Sequence, residues 1–140
     1  MPPLIELSLK EMQTGLREGQ FSSRELVEAA LERIEQVEPS LHAFLYIASE
    51  PALKQADDAD SAGMSDQSPL RGIPIAVKDV LTVKSMPATA GSKIIEGFVP
   101  PYTATAVKRL QEVGAIVIGK TNTDEFAMGS SNETSFYGPV

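Results

Sequence analysis

The chain has 140 residues, 42% of them hydrophobic, and a formal net charge of −7. That is enough apolar material for one folded core and too much for a disordered chain. The absence of cysteine excludes disulfides, thiolate metal sites and a cysteine nucleophile, and the acidic balance argues against direct nucleic-acid binding, which needs clustered Lys and Arg.

No long apolar run and no basic-then-apolar N-terminus is visible. The expectation is a cytoplasmic protein without a membrane span or secretory signal. The first helix is announced by a capping box, Ser8 with Glu11, and by the staple pair Leu7 and Met12. Leu9, Met12 and Leu16 form its apolar stripe, and Gly19 suits its stop. The device repeats at Ser22 and Glu25, with Phe21 and Leu26 as the staple. Leu26, Ala30, Ile34 and Val37 then line one face, and Pro39 is expected to end the helix. These two helices read as a structural add-on or as a docking surface for a partner. The single histidine, His42, falls in an expected loop and gives a Ser-His-Asp triad little support.

A third helix is predicted over 51–62, with Ala52, Leu53, Ala56 and Ala59 inward. Asp57, Asp58 and Asp60 lie on its solvated face, where no metal site is expected. A polar, turn-rich stretch follows. The chain therefore divides into an N-terminal helical segment (1–62), a loop (63–71) and the first part of an α/β core (72–140).

From Ile73 the texture changes. A strand is predicted at 73–77, then an irregular stretch rich in small residues (SMPATAGS), a helix at 105–113 stopping at Gly114, and an apolar strand at 115–118. Strand, helix, strand predicts a right-handed crossover in an α/β sheet buried on both faces. Ligands in such sheets gather at the carboxyl ends of strands, and both strands run into lysines, Lys78 and Lys120. A desolvated lysine has a lowered pKa and can act as a base. The same letters also fit a solvated lysine just past a strand end. If the strand continues, alternation sends Asp79 to the face opposite Lys78.

Residues 114–121 (GAIVIGKT) match the P-loop expression G-x-x-x-x-G-K-[ST]. A P-loop needs a strand before its first glycine and a loop whose N–H groups wrap phosphate. Here the first glycine follows a helix and the middle residues are mostly β-branched, so a strand and no phosphate site is expected. A nucleotide-binding module is the reading from another class, and a non-catalytic interaction fragment is a third.

Three stretches, GIPIAVKDV (72–80), GSKIIEGFVPPYTATAVKRLQEVGAIVIGKTN (91–122) and DEFAMGSSNETSFYGPV (124–140), resemble the amidase signature family. Within it the last two are most similar to the A subunits of glutamyl-/aspartyl-tRNA amidotransferases. The resemblance implies the N-terminal portion of the amidase signature fold, a mixed sheet covered by helices. It implies a Ser-Ser-Lys triad in which Lys78 is the base, with the two serines in a Gly- and Ser-rich segment expected beyond Val140. Residues 1–140 by themselves are then expected to be inactive. Ser130 and Ser131 imitate the catalytic segment in letters only. Met128, Gly129 and Ser130, with Ser131, resemble the stretch that lines the acyl-binding site, and they also fit an ordinary loop. The implied activity is hydrolysis of the glutamine side-chain amide, with the ammonia passed on to misacylated Glu-tRNA(Gln) or Asp-tRNA(Asn). The implied partners are subunits B and C of a heterotrimer, with tRNA reached through the complex. No cofactor is implied in this chain, and ATP and magnesium are expected at the partner subunit. The nearest alternative is a stand-alone amidase of the same family.

Overall fold

The computed structural model describes residues 3–140. The capping boxes at Ser8 and Ser22 both form: each serine hydroxyl accepts the N–H three residues on, and each glutamate carboxylate accepts the serine N–H in return. They start helices α1 (Leu9–Glu18) and α2 (Ser23–Leu41). Gly19 closes α1 in the left-handed conformation at φ 67°.

Helix α2 does not stop at Pro39, which lies inside it. The proline removes one N–H, but the last turn is closed by the His42 N–H donating to the Glu38 carbonyl at 3.0 Å. The Glu38 carboxylate also accepts the Phe44 N–H at 2.8 Å. These bonds hold Glu38 helical against the local preference before proline. His42 caps the end at φ 53° and is exposed.

After that cap comes a strand that the sequence pattern does not announce, β1 (Phe44–Ile47). Helix α3 (Ser49–Ala62) then begins two residues before the expected start. Strand β2 (Pro74–Lys78), helix α4 (Thr105–Glu112) and strand β3 (Ile116–Thr121) follow. Both strands are displaced toward the C-terminus relative to expectation, so Lys78 and Lys120 lie within strands.

The sheet has the order β1-β3-β2. Strand β3 runs parallel to β2 and antiparallel to β1, so the sheet is mixed. Strand β3 is buried along Ile116–Lys120, as a centre strand should be. Its side chains alternate between two cores. Ile116 and Ile118 meet Val27 and Ile34 of α2 and Ala52 and Ala56 of α3. Val117 meets Val77 of β2, Val107 of α4, Val83 and Met86. Each valine, isoleucine or methionine among these contributes about 1.5–3 kcal/mol by leaving water. The N-terminal segment thus supplies one edge strand and half of a core to the same fold. Gly119 is required where β1 crosses: a Cβ there would collide with the Tyr46 carbonyl and the Phe44 ring.

The aspartates of α3 are tied to α2. Asp57 pairs with Arg24 at 2.7 Å, and Asp60 accepts the N–H groups of Ser23 and Arg24 at 2.7 and 3.0 Å. Asp60 thereby satisfies free donors at the start of α2.

Candidate active site

Parallel strands β2 and β3 end side by side, with Lys78 opposite Thr121. An open cleft of about 520 Å³ lies at these ends. Lys78, Thr121, Thr123, Asp124, Gly129, Ser130, Ser131 and Asn132 line it. The fold therefore gathers Lys78, Gly129 and Ser130 in one place. Met128 is not among the lining residues and is 75% exposed.

The desolvation expected of Lys78 is found at Lys120 instead. Lys78 is exposed at the cleft. Lys120, expected as a second strand-end lysine, is 0% exposed inside β3. Its ammonium donates to Asp79 Oδ1 at 2.8 Å and to the Pro87 carbonyl at 3.0 Å. Asp79, 1% exposed, also accepts the N–H and hydroxyl of Thr89 on Oδ2, at 2.8 and 2.6 Å. The cause is alternation: side chains of adjacent strand residues project to opposite faces. Lys78 faces the cleft, and Asp79 turns inward to meet Lys120. The Asp79 N–H donates to the Thr121 carbonyl at 2.9 Å, which fixes the end of β2 against β3. The pair thus anchors the strand end that carries Lys78 and fastens the irregular 84–92 stretch beneath it.

The same geometry removes the P-loop reading. Gly114 follows α4, residues 116–121 are β3, and the Lys120 ammonium is enclosed and ion-paired. No phosphate can reach it without breaking the centre of the sheet.

The other wall of the cleft is built around Asp124. Its carboxylate accepts the N–H groups of Asn132 and Thr134 at 2.9 and 3.0 Å and the Thr134 hydroxyl at 2.9 Å. These bonds, those of the Thr134 and Asn132 amides foremost, hold the Asp124 carboxyl below the usual carboxylate range. Gly129 passes so close that a Cβ would collide with that carboxylate. Asn122 knits the base: its amide donates to the His42 and Gly138 carbonyls and its Oδ1 accepts the Thr123 N–H and the Ser135 hydroxyl. Phe126 and Ala127 are left-handed, at φ 53° and 59°. Such residues cost on the order of 1–3 kcal/mol each and concentrate at functional sites. Sequence reasoning singled out none of Asp124, Asn122 or Thr123; each acts through partners distant in the chain or through backbone geometry.

A family model described as Amidase matches residues 25–140. The A subunit of the glutamyl-tRNA(Gln) amidotransferase of Chromohalobacter salexigens is 48% identical, over 95% of this chain and 28% of its own length. The solved structure of a peptide amidase from Stenotrophomonas maltophilia superposes with a TM-score of 0.84 at 32% identity, covering 98% of this chain and 30% of that one. The solved A subunit of a glutamyl-tRNA(Gln) amidotransferase from Thermotoga maritima does so with a TM-score of 0.79 at 31% identity, covering 100% and 28%. The chain spans about 28% of the length of the curated relatives it matches.

Proposed function

The chain belongs to the amidase family, and we propose that it serves as part of the glutamine-hydrolysing A subunit of a tRNA amidotransferase, with Lys78 as its catalytic base. The observation that carries this reading is the shared cleft of Lys78, Gly129 and Ser130 at the carboxyl ends of two parallel strands. Among the described residues, no histidine lines it. In this mechanism the Lys78 amine accepts a proton, through a bridging serine, from a nucleophilic serine. The serine oxygen bonds to the side-chain carbonyl carbon of glutamine. Collapse of the adduct breaks the C–N bond, and the proton returns to the departing nitrogen as ammonia. Water then hydrolyses the acyl-serine ester to glutamate.

In this reading both serines are supplied outside residues 1–140. Residues 1–140 alone then release no ammonia from glutamine. The whole protein works with subunits B and C; a partner subunit uses ATP and magnesium to activate misacylated Glu-tRNA(Gln) or Asp-tRNA(Asn), and tRNA is reached through the complex. Support for the specific role comes from relatives of that name at 45–49% identity. Similarity to a peptide amidase favours a second reading, a stand-alone amidase.

The test is ammonia release by the whole protein from glutamine and from a C-terminal peptide amide, with and without the partner subunits. Glutamine hydrolysis stimulated by the partners supports the first reading. Preference for the peptide amide without partners supports the second, and hydrolysis of neither overturns both.

A further inference from the structure

The second wall of the cleft that holds Lys78 is a loop, lined by Gly129, Ser130, Ser131 and Asn132. Among the described residues, 129–134 take part in no backbone-to-backbone hydrogen bond. Phe126, Ala127 and Asn132, just before and within the loop, hold left-handed φ values of 53°, 59° and 58°. Such values are unfavourable for any residue but glycine. Neither a ladder nor local preference therefore gives the loop its course. A buried carboxylate does. Asp124, 5% exposed, spreads its two oxygens over the loop. Its Oδ2 accepts the Asn132 N–H at 2.9 Å, and its Oδ1 accepts the Thr134 N–H and hydroxyl at 3.0 and 2.9 Å. Gly129 lies against the same carboxylate, where a Cβ would collide. The Thr134 hydroxyl in turn accepts the Glu125 N–H at 3.2 Å, which closes the loop on the residue after Asp124. The beginning, middle and end of the loop thus meet at one side chain.

Resting on the amidase reading above, we propose that Asp124 is a positioning residue for substrate: its carboxylate sets the course of residues 129–132 in the cleft shared with Lys78. Asp124 moves no proton in the reaction, and its oxygens are committed to the loop. It acts before substrate arrives, by holding the loop in the shape that binds. A loop ordered in advance spares binding the cost of ordering it. Without the carboxylate that cost falls on substrate binding and enters KM. Once substrate is bound, Lys78 and the bond to be broken stand as before, so kcat is nearly kept.

The test is glutamine kinetics of the whole protein carrying Asp124→Asn, with Asp60→Asn as the comparison. Asparagine keeps the shape but turns one acceptor oxygen into an N–H₂ donor facing other donors. Asp60 does the same task elsewhere: its two oxygens accept the Ser23 and Arg24 N–H groups at the start of α2, and it does not line the cleft. Both substitutions are expected to lower the thermal midpoint. Only Asp124→Asn is expected to raise KM for L-glutamine, about tenfold or more, with kcat within about threefold of the parent. With normal parent turnover, an unchanged KM in Asp124→Asn, or an equal rise in Asp60→Asn, overturns this assignment alone and leaves Asp124 a structural carboxylate. A fall in kcat larger than the rise in KM also overturns it, because Asp124 then acts on the chemistry. If Asp124→Asn does not fold, Thr134, which is exposed, decides. Thr134→Val, without the hydroxyl, should raise KM about threefold, and Thr134→Ser should restore it. Equal KM values for those two variants overturn the assignment. A parent that releases no ammonia from glutamine overturns the functional reading and this assignment together.

Discussion

Lys78 and Lys120 stand in neighbouring parallel strands, one residue out of register, yet one is exposed at a cleft and the other is enclosed in the sheet. The contrast comes from which face each side chain takes. Lys78 has the cleft on its side, while Lys120 has Asp79, Thr89 and the Pro87 carbonyl. Lys120 is tied into the sheet by its ion pair, whereas Lys78 is open to the cleft. The same residue type thus supplies chemistry at the end of β2 and architecture in β3, and the two are joined because Asp79 is the next residue after Lys78.

The largest expected effect separates these roles. Replacing Lys78 by alanine in the whole protein should lower glutamine hydrolysis by about 10²–10⁴ or more, with an unchanged denaturation midpoint because the side chain is exposed. Loss of stability comparable to the loss of activity would erase the distinction.

The complementary change should act on the fold. Lys120→Ala leaves Asp79 as a buried charge without its cation, at a cost of about 3–5 kcal/mol in denaturant unfolding. Replacing both partners together, Asp79→Leu with Lys120→Met, should recover much of that loss. A single Lys120→Ala as stable as the parent would show the enclosure to be inconsequential.

The comparison sharpens one residue earlier. Gly119→Ala forces a methyl group against the Tyr46 carbonyl and the Phe44 ring, and should cost about 1–3 kcal/mol by overpacking. Equal stability would mean that β1 can shift away from β3 freely.

On the cleft side the expected effect is a pH dependence. The native Asp124 carboxyl lies below its unfolded value. Its contribution to stability is therefore full above about pH 3.9, the ordinary carboxylate value, and is lost as pH falls through the lower native value. Denaturation of the parent and of Asp124→Asn should differ at neutral pH and converge in acid. A gap that widened in acid would reverse the assigned cause.

Where the signal is local, the sequence is legible. The capping boxes at Ser8 and Ser22, the apolar faces of α2 and α3 and the β-branched run at Ile116–Ile118 are short-range patterns with short-range causes. The three long stretches resembling the amidase family carry the fold class. What escapes depends on distant partners. Strand β1 is four residues, three half-buried and one exposed, between two helices, and only β3 makes it a strand. Pro39 fails to end α2 because Phe44 and His42 bond to Glu38. Lys120 is enclosed by a carboxylate 41 positions away, and letter order alone makes the two lysines look alike. In the cleft, Lys78, Gly129 and Ser130 are identified by resemblance and lie together, while Met128 stands apart from the lining. Asp124 escapes because its role is to accept backbone N–H groups, for which the sequence carries no motif.

The most direct measurement is turnover of glutamine by the whole protein with Lys78→Arg. The guanidinium keeps a positive charge and nearly the same reach but cannot give up its proton near neutral pH. A base role predicts turnover reduced by about a hundredfold or more, close to the loss in Lys78→Ala, with the fold intact. Turnover near the parent value would contradict it and leave Lys78 a solvated lysine at the end of a strand.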